Sequence, residues 1–204
     1  MRILGETFAE EDRELLRVTL DEANRGNPVS QSKLGIRFAN GEGVPKDQVE
    51  ALKWFRKAAE QGDAWAQFTL GRCYANGVGV PLDDLLAVSW FRKAAEQGDP
   101  VAQFDLGFCY YHGKGVPKDL VEAYAYFSIA GASIDAARQN AGRGSKNQVA
   151  VFAHYDQTTS PFRNSVSAKG ETSPEIMTLG ALRAKKLQAE IDALNAEPTK
   201  ITRR

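Results

Sequence analysis

Residues 63–98 read DAWAQFTLGRCYANGVGVPLDDLLAVSWFRKAAEQG, and they decide the fold because the chain repeats them on both sides. Residues 27–62 read NPVSQSKLGIRFANGEGVPKDQVEALKWFRKAAEQG, and residues 99–135 follow the same pattern less strictly towards their end. Between residues 26 and 115, all twelve glycines fall on four phases of a single 36-residue period. A period of this length is typical of a solenoid built from stacked supersecondary units.

Each repeat begins with a predicted first helix, helix A. Asn27, Asp63 and Asp99 share one phase, and two of them stand directly before proline, as an N-cap residue does before a proline at the first helical position. Leu70 and Tyr74 then lie on one helical face of the second copy. A Gly-x-Gly-Val-Pro turn ends the helix, because glycine permits positive φ and proline prevents continuation.

A second helix, helix B, follows in each repeat. Asp47-Gln-Val-Glu50 and the matching segment that starts at Asp119 have the pattern of a capping box. Trp54 and Phe55 belong to an apolar stripe that recurs 36 residues later, and Gly62 supplies the left-handed position that ends the helix. We expect glycines of helix A, such as Gly71, to let the bulky residues of helix B approach closely.

The repeats resemble the Sel-1-like repeat, a branch of the tetratricopeptide superfamily. The residues that carry the resemblance are Ala66, Leu70-Gly71, Tyr74, Gly77-x-Gly79-Val80, Asp83, Ala87, Trp90, Lys93-Ala94-Ala95 and Gly98, with their counterparts in the flanking copies. In the third copy, Tyr126 replaces Trp and Ile129 replaces Lys. The resemblance implies an all-α, right-handed α/α superhelix and an adaptor or scaffold role in protein assemblies.

The pattern predicts a chain organised as three repeats with helical caps. We expect an N-terminal capping helix (1–26, with 8–24 aligned to a helix B), repeats at 27–62, 63–98 and 99–135, a low-complexity loop (136–172), an amphipathic helix (173–197) and a basic tail (198–204). The apolar stripe of the last helix is predicted to contain Ile176, Leu179, Leu187, Ile191 and Leu194. This helix either caps the solenoid or pairs with another chain.

Composition excludes several classes of protein. The 204 residues hold 26 basic and 26 acidic side chains, so a formal net charge of zero argues against nucleic acid as the main partner. No run of 18 apolar residues is present, and the N-terminus lacks the apolar core of a secretory signal. We therefore expect a cytoplasmic location without membrane contact.

Chemical motifs are sparse. Cys73 and Cys109 share one phase of adjacent repeats, and we expect both to be reduced thiols rather than a disulfide. His112 and His154 lie 42 residues apart, and we expect no metal site. We predict no catalytic residue and no cofactor. The alternative, a weak β-lactam hydrolase, rests only on analogy with some secreted relatives.

The candidate binding surface follows from the resemblance, because A helices line the concave face of tetratricopeptide-like superhelices. The positions implied are Val29, Ser32, Ile36 and Asn40; then Trp65, Phe68, Arg72 and Asn76; then Val101, Phe104, Phe108, Tyr111 and His112. Aromatic rings with few charges suit a peptide or a partner helix. The alternatives are that the rings only pack the inner wall or that they line a small-molecule site. We predict a non-enzymatic, bacterial-type interaction module, an adaptor or regulatory subunit, whose oligomeric state stays open.

Overall fold

Helices make up the regular structure of the described chain. The computed structural model describes residues 2–141 and 173–196, and these contain no strand. Their helices are α1 (Arg2–Asn24), α2 (Pro28–Asn40), α3 (Gln48–Glu60), α4 (Ala64–Asn76), α5 (Asp84–Glu96), α6 (Pro100–His112), α7 (Leu120–Ala141) and α8 (Pro174–Ala196). The predicted all-α helical repeat fold is confirmed. Helices α2, α4 and α6 are the A helices, and α3, α5 and α7 are the B helices.

The A helices start at the predicted capping residues. The Asp63 carboxylate accepts a hydrogen bond from the backbone N–H of Ala66 at 2.7 Å, and Asn27 and Asp99 cap α2 and α6 in the same way. Each cap satisfies one of the donors that a helix N-terminus leaves without an intrahelical partner. The repeated capping residue therefore fixes where each hairpin begins.

The predicted capping boxes form only in part. The Asp47 carboxylate caps α3 as expected, accepting from two backbone N–H groups at 2.9 and 3.0 Å. However, Glu50 accepts from Lys53 Nζ at 2.8 Å, and the backbone N–H of Asp47 donates to the Phe38 carbonyl at 2.8 Å. The reciprocal half of the box is absent because closure of the turn already uses that N–H. Matching turn bonds join Asp83 to Tyr74 at 3.0 Å and Asp119 to Tyr110 at 2.9 Å.

Helix α3 ends at the predicted left-handed glycine. Gly62 has a φ of 94°, and its N–H donates to the Ala59 carbonyl at 3.1 Å. The N–H of Asp63 donates to the Ala58 carbonyl at 3.1 Å, which completes a Schellman motif. Because Asp63 also caps α4, one short segment ends a B helix and starts the next A helix.

Glycine on the A helix allows close contact with an aromatic ring on the B helix. A Cβ on Gly107 would lie 2.9 Å from Cδ1 of Phe127, and a Cβ on Gly35 would overlap the Phe55 ring. The leucine before each of these glycines, Leu34 or Leu106, is fully buried. This large-to-small packing follows the prediction made for Gly71, which is itself buried.

A repeated glutamine ties each A helix to the helix that precedes it. The side-chain amides donate to a backbone carbonyl near the end of that helix. The bonds are Gln31 Nε2 to Ala23 O (3.1 Å), Gln67 Nε2 to Ala59 O (3.0 Å) and Gln103 Nε2 to Ala95 O (3.3 Å). Since Ala23 belongs to α1, the N-terminal helix takes the place of a helix B in front of the first repeat.

The last B helix is longer than expected. Helix α7 continues to Ala141, so the prediction of a loop from residue 136 is wrong for residues 136–141. Ile134 stands at the phase of Gly62 and Gly98, and it lacks the conformational freedom that ends α3. Residues 142–172 of the predicted loop, His154 and the basic tail 198–204 lie outside the described residues.

Helix α8 packs on α7, as a C-terminal cap does. Its buried residues are Gly180, Ala184, Leu187 and Ile191. The predicted stripe is therefore wrong at Leu179 and Leu194, whose exposed fractions are 54% and 59%. The contact is close, because a Cβ on Gly180 would lie 2.7 Å from Cδ1 of Tyr124.

The chain divides into two compact units, Met1–Trp90 and Phe91–Arg204. We call them the N-terminal unit and the C-terminal unit. The N-terminal unit holds a core around Leu34 and Trp54 and a second around Leu70. The C-terminal unit holds a core around Phe104 and Phe127.

Candidate partner-binding surface

Helix α4 presents a mixed aromatic and basic surface in the N-terminal unit. Trp65 is 44% exposed, and its ring meets the edge of Phe55 at a centroid distance of 5.5 Å. Phe68 is only 8% exposed, and the Arg72 guanidinium lies 5.8 Å from its ring centroid. Arg72 and Asn76 are exposed, and Asn76 Nδ2 donates to the Arg72 carbonyl at 2.9 Å. Trp65, Arg72 and Asn76 are thus the accessible predicted positions on this helix.

Helix α6 carries the predicted residues of the C-terminal unit. Phe104 is 8% exposed and packs on Phe127 at 5.2 Å, so it belongs to the core. Phe108 and Tyr111 are half-buried, and His112 is exposed. The His112 ring lies 4.2 Å from that of Phe108 and 4.9 Å from that of Tyr111. Three of the five predicted residues on α6, Phe108, Tyr111 and His112, therefore form one accessible aromatic group at the end of the helix.

Comparison with known proteins assigns the repeats. The Sel1 repeat matches residues 28–63, 66–99 and 100–133, which is just over half of the chain. The chain belongs to the Sel1 repeat family. Sel1 repeat proteins are generally protein-interaction modules with a typically non-catalytic fold. No curated protein matches the chain.

Two solved structures are similar to this Sel1 repeat chain. A Sel1 repeat protein from Oxalobacter formigenes is 36% identical, and the match covers 68% of this chain and 97% of that protein, with a TM-score of 0.54. The second is c5321, a protective antigen of uropathogenic Escherichia coli strains that displays an SLR fold. It is 25% identical with a TM-score of 0.54, and the match covers 91% of this chain and 44% of the antigen.

Neither cysteine of this Sel1 repeat protein forms a disulfide. Cys73 is half-buried and Cys109 is buried. Burial raises the pKa of the Cys73 thiol, against a smaller opposing effect of the Arg72 charge. A thiol with a raised pKa is a weak nucleophile at neutral pH, because the thiolate is the reactive form. This environment suits a structural cysteine.

The described ranges offer neither a metal-binding cluster nor a membrane-spanning helix. Residues 2–141 and 173–196 contain no group of three or more His, Cys, Asp or Glu side chains that is able to hold a metal ion. None of the helices in these ranges is sufficiently long and apolar to cross a membrane.

A cavity of about 210 Å³, lined by both charged and apolar side chains, lies in the C-terminal unit, and the sequence did not reveal it. Arg92 Nη2 donates to the Tyr110 hydroxyl at 3.0 Å, and Tyr110 stacks on Tyr126 at 5.7 Å. Burial, with a smaller contribution from Tyr110, raises the pKa of Tyr126 to about 12. Arg183 Nε closes one side by donating to Glu122 Oε1 at 2.7 Å. The ion pair between Arg183 and Glu122 links α8 to α7 at the wall of this cavity.

Two lysines beside the aromatic group were also missed. Lys114 Nζ lies 5.8 Å from the Phe108 ring centroid, and Lys118 Nζ lies 5.4 Å from that of Tyr111. The sequence places both in the turn after α6, where lysine is ordinary. Only their positions over the ring faces link them to the candidate surface.

Proposed function

We propose that this Sel1 repeat chain is a non-enzymatic adaptor, scaffold or regulatory subunit. It binds a peptide or helix of a protein partner on the exposed sides of its A helices, the concave face in the family pattern. The interaction role of Sel1 repeats in general supports the proposal. The proposal rests on the accessible residues Trp65, Arg72 and Asn76 on α4, and Phe108, Tyr111 and His112 on α6; Val29 and Asn40 on α2 are exposed as well.

The observation that carries the proposal is the exposure of Trp65. A tryptophan with 44% of its surface exposed is costly to leave in water, and the same phase holds the smaller Val29 and Val101 in the other repeats. The repeat therefore folds without a ring at this position. Tryptophan and arginine are the residues most enriched among binding hot spots, and exposed Arg72 lies two turns further along α4.

The test uses residues that other repeats of this chain already carry. In the full chain, Trp65→Val and Arg72→Ile introduce the residues that the first repeat carries at the same phases, Val29 and Ile36. Immobilised on beads, the wild type should capture a defined set of proteins from a cell lysate, identified by mass spectrometry. The double variant should lose that set, because its hot-spot side chains are gone.

A matched control separates binding from stability. Leu85 is 72% exposed on helix B, and Leu85→Val introduces the residue found at that phase in the first and third repeats. This control should capture the same proteins as the wild type. Equal capture by the α4 variant, or equal loss in the control, would refute the role of α4 in the proposed site.

A further inference from the structure

The end of α6 and the turn after it form a compact aromatic and basic surface. Its members, which we call the α6 tip, are Phe108, Tyr111, His112, Lys114 and Lys118. The centroid of the His112 ring lies 4.2 Å from that of Phe108 and 4.9 Å from that of Tyr111. The two lysine ammonium groups lie 5.8 and 5.4 Å from the centroids of Phe108 and Tyr111. Rings and cations are therefore presented together within one helical end and one turn.

The end of an A helix forms without rings at two of these positions. Tyr111-His112 occupies the phase of Ala39-Asn40 and Ala75-Asn76, and each of the three pairs precedes a left-handed glycine that caps its A helix. The same helix end thus forms with two small residues in the first two repeats. Phe108 and Tyr111 pack in part against the core around Phe104 and Phe127, and the exposed parts of these rings, together with exposed His112, are accessible to a partner.

The lysines carry charge that the described residues do not neutralise. Within residues 12–136 and 173–196, neither Lys114 nor Lys118 makes an ion pair. The neighbouring Asp119 carboxylate accepts from the N–H groups of Val121 and Glu122 at 2.9 and 3.0 Å as the N-cap of α7. Both ammonium groups are exposed and therefore suited to an external carboxylate.

We propose that the α6 tip binds an acidic peptide segment that carries an aromatic or aliphatic anchor. The anchor packs on the rings of Phe108, Tyr111 and His112, and flanking Asp or Glu carboxylates pair with Lys114 and Lys118. A phosphate group fits less well, because the tip offers no arginine fork and the Asp119 carboxylate already occupies the adjacent N-terminus of α7. The inference deepens the proposed function by stating the partner's chemistry, and it rests on that function.

Selection from a random dodecapeptide library on phage tests this chemistry with the full chain as bait. The wild type should enrich peptides that combine an aromatic or aliphatic residue with several acidic residues. Lys114→Glu with Lys118→Leu introduces residues that the first and second repeats carry at these phases. This variant should lose the acidic preference, whereas Tyr111→Ala with His112→Asn should lose the anchor preference.

Affinity of the most enriched peptide gives the second readout. By fluorescence anisotropy, the double lysine variant should bind about tenfold more weakly, since two charge pairs are lost. Lys46→Leu is the matched control, because Lys46 shares the phase of Lys118 but precedes α3 rather than α7, and it should leave affinity unchanged. Affinity should fall with salt in the wild type and depend less on salt in the lysine variant.

The outcomes separate this inference from the proposed function. Selection of peptides without acidic residues, unchanged affinity in the lysine variant, or displacement by phosphate but not by glutamate at equal ionic strength would each overturn the acidic-peptide site. If the Trp65→Val and Arg72→Ile variant still loses its captured proteins in that case, the A-helix function stands. If neither the α6 tip nor α4 affects binding, both proposals are wrong.

Discussion

Single capping residues decide where the hairpins of this protein begin, and their environment is encoded only partly in sequence. Asn27, Asp63 and Asp99 were predicted as N-caps from their phase, and all three accept backbone hydrogen bonds. What the sequence does not show is that Asp99 is half-buried. Burial raises its pKa, while the N–H donors of Ala102 and Val101 oppose the shift.

The raised pKa of Asp99 predicts a pH dependence of stability. The folded state holds the Asp99 proton more tightly than the unfolded state, whose pKa is close to 3.8. Between 3.8 and the raised value the folded state binds more protons, so this carboxyl lowers the free energy of unfolding as the pH rises through that window. Asp99→Asn removes the charge and keeps an acceptor oxygen, as Asn27 shows in α2.

The Asp99→Asn variant should gain stability relative to the wild type as the pH rises from about 3 to about 6. Urea unfolding at a series of pH values measures this difference. Asp47→Asn makes the same change at an exposed cap and serves as the reference for the effect of an amide cap on stability. A difference that is flat in pH, or that falls with pH, would contradict the effect of burial at Asp99.

At the scale of helices, sequence was reliable where glycine or a cap marks a boundary and unreliable where packing decides. Gly62 was predicted to end α3 and does so. The loss of the period near residue 136 suggested a loop, yet Ile134 at the glycine phase lets α7 continue. The apolar stripe of α8 was misassigned because the helix packs through Gly180 and Ala184, whose small size permits contact but gives little hydrophobic signal.

The packing of α8 predicts how single substitutions in it should act. Ile191 is 3% exposed against the rest of the C-terminal unit, so Ile191→Ala should lower the free energy of unfolding by about 2–5 kcal/mol. Leu179→Ala is the matched control: its side chain is 54% exposed, so the change should stay within about 0.5 kcal/mol. Chemical denaturation measures both.

Light scattering on the same variants tests the alternative in which α8 pairs with another chain. If α8 acts only as a cap, Leu179→Ala should leave the mass in solution unchanged. A dimer mass that is lost in Leu179→Ala, with the stability of the monomer kept, would show that the exposed leucines form an interface between copies.

At the scale of the whole molecule, repeat phase predicted which helices carry the candidate surface but not which side chains remain accessible. Phe68 and Phe104 share one phase, and both turn into the packed interior at 8% exposure. The repeat phase also did not predict that Lys114 and Lys118 belong to the candidate surface. Both lie over rings, those of Phe108 and Tyr111, that only the third repeat carries at these phases. The repeat period identifies the residues that the repeats share. The candidate surface consists mainly of residues that differ from one repeat to the next.

The two compact units predict that damage in one is felt mainly there. In a repeat protein each repeat contacts only its neighbouring repeats. Local opening of the structure is therefore governed by the packing around the opened segment. Gly107→Ala would push a Cβ to 2.9 Å from Phe127, and Gly35→Ala would overlap Phe55, each costing about 1–3 kcal/mol. Hydrogen exchange should then quicken in α6, α7 and α8 for Gly107→Ala, and in α1, α2 and α3 for Gly35→Ala.

Relief of the overlap provides the control for this prediction. Phe127→Ala removes every ring atom that the Gly107→Ala methyl would meet, so the double variant should be more stable than the sum of the two single effects implies. Exchange that quickens equally throughout residues 2–141 and 173–196 in either glycine variant would mean that the described chain opens as one cooperative body. In that case the independence of the two units would be wrong, even though the glycine contacts themselves would stand.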